Sequence, residues 1–170
     1  MNLQIINFTN NKNEINKKYL CKYHNGQNIM PSIKWKKVNG AKSYIIIFED
    51  IHAKTEDGKC NFIHLYIKYI NENIDHIDEL NFDNKTLNIL KNKFNSKNLI
   101  FGKNHSDTYG YYGPCNPHNY IHNYIFHIYA LNNIIINIKD KICSSQEFEK
   151  EYGEYIIKKD LKEFSYIQKK

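Results

Sequence analysis

The chain has 170 residues, 41% of them apolar, 25% charged and 14% aromatic, with a formal net charge of +6. That is one domain's worth, residues 1–170, with enough apolar material for a core. It excludes a disordered tail, a collagen-like repeat and a disulfide-dense mini-protein. No apolar run approaches the ~20 residues of a membrane-spanning helix. The start, MNLQIINFTNNKNE, has no basic opening, long apolar run or small-residue cleavage site. A cytoplasmic protein is therefore expected, and Cys21, Cys60, Cys115 and Cys143, widely spaced and without a C-x-x-C, are read as reduced thiols. All 24 basic residues are lysine. A nucleic-acid reader uses arginine for bidentate contacts, so no nucleic-acid partner is expected.

In chain order, a short strand is expected at residues 3–8. KSYIIIFED at 42–50 and the stretch 61–70, NFIHLYIKYI, are β-branched and aromatic and bounded by turn residues, which predicts strands. The polar, Asn-rich segment 71–119 reads as a long connection, with a short helix around 85–94 and the cluster Tyr-Gly-Tyr-Tyr-Gly-Pro at 109–114. Long ordered connections often carry function. The longest strand is expected at 120–131, YIHNYIFHIYAL, followed by a further extended piece at 134–138. SSQEFEKEYGEYIIKK reads as a helix capped by Ser144 or Ser145. Residues 163–168 close the chain as a strand. The pattern is an antiparallel β protein with peripheral helices.

Side chains alternate along a strand, so His122, Tyr124, Phe126 and Ile128 share one face. His122 and Tyr124 stand at the strand's start, just after the Gly-Pro turn. Asp50 ends one predicted strand, with His52 at the same parity, and His64 opens another. Strand ends that meet a Gly-Pro loop are places for a pocket. There a histidine, a tyrosine hydroxyl and loop backbone can donate to an anion, while Asp50 orients a histidine or accepts from an amine.

Two blocks resemble the phosphatidylethanolamine-binding protein family, which includes the Raf kinase inhibitor proteins. Residues 30–71 are similar to its P-x-x-x-W…K-S…D-P-D-A-P segment and following pocket histidine, through Pro31, Trp35, Lys42, Ser43, Asp50, Ala53 and His64. Residues 109–132 are similar to its G-P-C-P-P…H-R-Y-x-F-x-x-Y-A-L segment, through Gly113, Pro114, Cys115, Pro117, His122, Tyr124, Phe126, Tyr129, Ala130 and Leu131. The Gly-Pro-Cys run is similar to the bacterial and archaeal branch. The resemblance implies a mainly β fold: a large central antiparallel sheet with Greek-key connections, a smaller second sheet, and peripheral helices including a C-terminal one. It implies a non-enzymatic binding protein whose anion pocket takes phosphate or a phospholipid head group such as phosphoethanolamine. Its walls are Asp50, His64, Gly113, Pro114, His122 and Tyr124, and its rim is His52, Lys54, Tyr112, Cys115 and His118. It also implies regulation of a kinase or another signalling protein; separately, the lysines at Lys158, Lys159, Lys162, Lys169 and Lys170 allow at most peripheral contact with an anionic membrane. His64 and His122 are expected to titrate near neutrality and strengthen anion binding as pH falls.

The chain departs from D-P-D-A-P at Ile51, His52 and Lys54. An acid becomes a histidine and both prolines are lost, which inverts charge at the rim and loosens the loop; the outcome is either a more anionic ligand or a protein-interaction module that has lost head-group binding. No cofactor is expected. A competing arrangement is a metal site, since Cys115, His118 and His122 have C-x2-H-x3-H spacing and Cys60-x3-His64 adds two donors. A catalytic Cys115 with His122 and Asp50 is the enzymatic alternative. Exposed Tyr109, Tyr111 and Tyr112 as a protein-contact patch is a third.

Overall fold

The structure is a computed structural model and describes residues 1–82, 98–117 and 119–167. The expected helix at 85–94 and the rim residue His118 lie outside the described residues.

The centre is a five-stranded antiparallel sheet built from β4 (Ser43–Lys54), β5 (Asn61–Asn71), β8 (Leu99–Phe101), β9 (Ile121–Leu131) and β10 (Ile156–Ile167). Its order is β10-β9-β4-β5-β8. Within it, β9-β4-β5-β8 is the Greek-key order: three strands laid side by side, then a long return that places the fourth beside the first. That return, residues 102–120, crosses the end of the sheet where β4 finishes and β5 and β9 begin. The Gly-Pro segment is thereby laid over three strand ends at once. Smaller sheets form from β1 (Gln4–Ile6), β3 (Ser32–Lys34) and β6 (His76–Ile77), and from β2 (Ile29–Met30) with β7 (Leu80–Asn81).

Both faces of the central sheet are covered, which explains why β4 is an almost unbroken apolar run and not an alternating one. Tyr44, Ile46 and Phe48 face a core shared with Phe8, Tyr19, Ile33 and Trp35. Ile45 and Ile47 face a second core closed by Ile138, Ile142 and Phe148. Phe48 stacks on Phe126 of β9 with ring centroids 3.8 Å apart, and Phe8 meets both rings edge-on. Fully burying each such ring contributes about 2–3 kcal/mol, so β4 and β9 are held together well beyond their backbone ladder.

Four expectations are corrected. The helix forms, but only over α1 (Ser145–Tyr152), with the Ser144 hydroxyl accepting from the Glu147 N–H at 3.1 Å. After a 3-10 turn at 153–155 the chain turns into β10, which starts at the β-branched pair Ile156–Ile157 and not at residue 163. β10 is a sheet edge with one face mostly in water, so its polar face imitates a helix surface. Residues 134–138 form no strand. The cysteines are not free thiols: Cys21 is bonded to Cys115 and Cys60 to Cys143, at separations of 94 and 83 residues. Sequence spacing carries no sign of pairings this distant, because the fold creates them.

Candidate functional site

Asp50, His64, His122 and Tyr124 meet at the end of the sheet beneath the return loop. Asp50 and Tyr124 are direct partners in the β4–β9 register, and both are buried. His122, two residues nearer the start of β9, stands on the same face. Its Nδ1 lies 2.6 Å from Asp50 Oδ2. A carboxylate only accepts, so Nδ1 donates and Nε2 is the ring's other hydrogen-bonding atom. The second Asp50 oxygen accepts from the backbone N–H groups of His52 at 2.8 Å and Ala53 at 3.0 Å. Asp50 thus orients His122 and also shapes the turn that leaves the core of β4.

His64 is buried, and its Nδ1 lies 2.7 Å from the Tyr112 carbonyl. That carbonyl accepts, so the proton is on Nδ1 and the lone pair on Nε2. His64 Nε2 is buried with no hydrogen-bond partner among the described residues. Burial pushes the His64 pKa down to about 4, against smaller upward pulls from the Tyr112 carbonyl and the Asp50 charge. His64 is therefore a neutral acceptor at pH 5.5–8, and the expected titration near neutrality is corrected for this residue. Desolvation outweighs the nearby carboxylate because the ring is packed among Phe48, Phe62 and Tyr124, with centroids 4.8–5.4 Å away. Burial likewise pushes the Tyr124 hydroxyl far up, with the Asp50 charge adding to it, so it remains a neutral donor.

Gly113 and Pro114 lie against the N-terminal segment. A Cβ on Gly113 would fall 2.3 Å from the Tyr19 carbonyl oxygen and 2.7 Å from the Cys21 nitrogen, so only glycine permits this approach. The Gly113 N–H is committed to Asn28 Oδ1 at 2.7 Å, and Pro114 has none. Loop backbone at these two positions therefore does not donate to a ligand as expected; their part is to place the loop. Asn28, which also donates to the Tyr111 carbonyl at 3.1 Å, is the clamp that sequence reading missed. It lies in the polar run HNGQN, where nothing sets it apart.

Among the rim residues, the His52 ring lies 6.0 Å from His122, and its Nδ1 accepts from the Asn123 N–H at 2.9 Å. Tyr112 holds His64 through its carbonyl. Lys54 is drawn instead to Asn61 Oδ1. Cys115 is tied to Cys21, and Cys60 pairs with Cys143. The proposed grouping of Cys115 with His122 and of Cys60 with His64 as metal ligands is thus broken up, and Cys115 is no free nucleophile. Tyr111 is buried, its hydroxyl donating to the Tyr19 carbonyl at 2.8 Å, so it belongs to the packing and not to an exposed patch.

The fold and this cluster define a Greek-key β protein with a polar site at one end of its sheet. The chain belongs to the phosphatidylethanolamine-binding protein family, whose model matches residues 6–166. It is 32% identical over 136 residues, 79% of each chain, to a UPF0098 protein of Methanothermobacter thermautotrophicus. Its fold is similar to that of a putative phosphatidylethanolamine-binding protein homologue of Chlamydia trachomatis (TM-score 0.70, 23% identity, 98% of this chain and 96% of that one). It is also similar to Escherichia coli YbcL, described as a member of the mammalian family (TM-score 0.76, 17% identity, 98% of both chains). Membership sets the chain among binding proteins and not enzymes. No helix among the described residues is long and apolar enough to cross a membrane.

Proposed function

We propose that the chain binds a small phosphate-bearing molecule, free phosphate or a phosphoethanolamine-like head group, at Asp50, His64, His122 and Tyr124. The observation that carries this is the buried, unpartnered Nε2 of His64. An unmet buried acceptor costs about 1–3 kcal/mol, and a ligand that donates to it recovers that. A phosphate hydroxyl or an ethanolamine ammonium is such a donor. His122, held in place by Asp50, and the Tyr124 hydroxyl, which donates to Asn116 Oδ1 at 3.4 Å and would turn to a ligand, are the neighbouring polar groups. His52 at the rim, where the family pattern carries an acid, favours a more anionic ligand.

Contact with a kinase or other signalling protein, the role that the resemblance implies, would use Tyr120 and Ile121, exposed where the loop enters β9. The two disulfides favour an oxidising compartment over the expected cytoplasm.

The test is an amide-shift titration of the wild type with O-phosphoethanolamine and with inorganic phosphate, repeated on His122→Ala. Saturable shifts at Asp50, His64, Tyr112 and Tyr124, lost in the variant while the remaining spectrum is kept, are expected. No shifts with either ligand would overturn the proposal.

A further inference from the structure

Behind the return loop stands a second constellation, Cys21, His24 and Cys115. Cys21 and His24 are buried and Cys115 is half-buried. The two sulfurs are bonded, and a ring nitrogen of His24 lies within 4.8 Å of both. The local backbone produces this grouping. Residues 22–24 form a 3-10 turn in which the His24 N–H donates to the Cys21 carbonyl at 3.1 Å. Side chains three apart eclipse in such a turn, so C-x-x-H brings both to one side. The Cys21 N–H donates to the Pro114 carbonyl at 3.1 Å, which delivers Cys115 from the loop.

His24 is also prepared for a particular role. Its Nε2 lies 2.8 Å from the Asn116 carbonyl. Because that carbonyl only accepts, Nε2 is the donor in this contact. A ring N–H held by a backbone carbonyl is the arrangement that orients an imidazole ligating a metal. A disulfide needs no histidine. Among the described residues this is the only group of three donor side chains with metal-ligand proximity, and the Cys60–Cys143 bridge belongs to none.

We propose that Cys21, His24 and Cys115 form, in the reduced protein, a three-ligand site for a thiophilic divalent cation such as zinc, and that metal and disulfide are alternative states of these residues. Tetrahedral zinc, with bonds of about 2.3 Å to sulfur and about 2.0 Å to nitrogen, sets its ligand atoms roughly 3.5–3.8 Å apart, inside the present cluster. Bonded sulfurs provide no thiolates, so the disulfide form is closed to the metal. Opening the bond takes two electrons and two protons from a dithiol, which leaves as its own disulfide. Metal binding then releases both thiol protons. Two thiolates neutralise the dication, a neutral imidazole is the third ligand, and water takes the fourth position. In either state the N-terminal segment is fastened to the loop that carries Gly113 and Pro114. The inference stands independently of what the Asp50–His122 site binds.

The test is a cobalt(II) and then zinc titration of the full chain, oxidised and after reduction with a phosphine. The reduced wild type should take one equivalent, with a thiolate-to-cobalt charge-transfer band that zinc removes, and the oxidised protein none. His24→Ala should weaken zinc binding by tenfold or more, and Cys115→Ser should reduce the band. The double variant Cys60→Ser with Cys143→Ser should retain it in full. No band in the reduced wild type, a band unchanged in Cys115→Ser, or its loss in the double variant would each overturn the proposal. If reduction alone unfolds the chain, zinc should restore the β circular-dichroism signal, and failure to restore it counts against the site equally.

Discussion

His64 and Tyr112 bond to each other twice: the His64 ring donates through Nδ1 to the Tyr112 carbonyl at 2.7 Å, and the Tyr112 N–H donates to the His64 carbonyl at 2.8 Å. One residue of a central strand thus anchors the Greek-key return and takes its tautomer from it. The same pair leaves Nε2 buried and without a partner among the described residues.

This burial makes a prediction about acid. The folded His64 ring protonates near pH 4, whereas an unfolded histidine does so near 6.5. Between those values the unfolded chain holds the extra proton, so stability falls as pH drops below 6.5 and the loss levels off near 4. From pH 7 to pH 5 the loss through this residue is about 2 kcal/mol. His64→Gln does not titrate. Its destabilisation relative to wild type, measured by urea unfolding, should shrink by that amount at pH 5. An equal difference at both pH values would show that His64 is not held neutral.

Gly113→Ala should destabilise by about 1–3 kcal/mol, the range for forcing atoms into a filled space. The added carbon meets the backbone of Tyr19 and Cys21, which cannot swing aside like a side chain. The loop must lift, and the Tyr112 carbonyl lifts with it. Phosphate-induced amide shifts should weaken along with stability. Gly58→Ala is the contrast: nothing lies within 4 Å of the added carbon and only its φ of +70° opposes the change. It should cost about 1 kcal/mol and leave the titration unchanged.

Much of this was legible in the sequence because it rests on local rules. The β-branched runs made β4, β5 and β9 plain, and period-two alternation put His122 and Tyr124 on one face. The motif positions brought Asp50, His64 and the Gly-Pro turn to one end. What was not legible depends on long-range contact. The disulfide pairings join residues more than 80 apart. Asn28 acts only because the loop docks on it. The low pKa of His64 comes from burial among rings, two of which, Phe48 and Tyr124, stand on other strands. β10 was misread because half of an edge strand looks like a solvated helix.

The Cys60–Cys143 bridge closes a loop of 83 residues and fastens the start of β5 to the segment before α1. Removing such a bond costs about 2–5 kcal/mol, mainly by freeing the unfolded chain. Cys60→Ser with Cys143→Ser should lower the melting temperature accordingly. The variant should still respond to reductant, because Cys21–Cys115 remains. A variant insensitive to reductant would mean that the second bridge contributes nothing.

Glu49 supplies the last prediction, from the opposite face of β4 to Asp50. It is buried, and four donors converge on its carboxylate. His127 Nε2 at 2.9 Å and the Ser145 hydroxyl at 2.5 Å reach Oε1; Asn61 Nδ2 at 3.1 Å and the Ser145 N–H at 3.2 Å reach Oε2. Burial, the largest influence, pushes its pKa up, but the bonds from His127, Ser145 and Asn61 together outweigh it and hold the carboxyl below its usual value. Its stabilisation is therefore full above the unfolded pKa of about 4.5 and lost as pH falls through the lower folded one. Glu49→Gln replaces one acceptor oxygen with an NH2 group that faces donors. It should destabilise by about 2–4 kcal/mol at pH 7, loosening α1 from β4, β5 and β9. At pH below the folded value the gap from wild type should narrow, because the wild-type carboxyl has by then become a neutral acid that also turns a donor toward donors. Urea unfolding of both proteins across pH 3–7 measures this, and a gap that stays constant would place the carboxylate's stabilising role elsewhere.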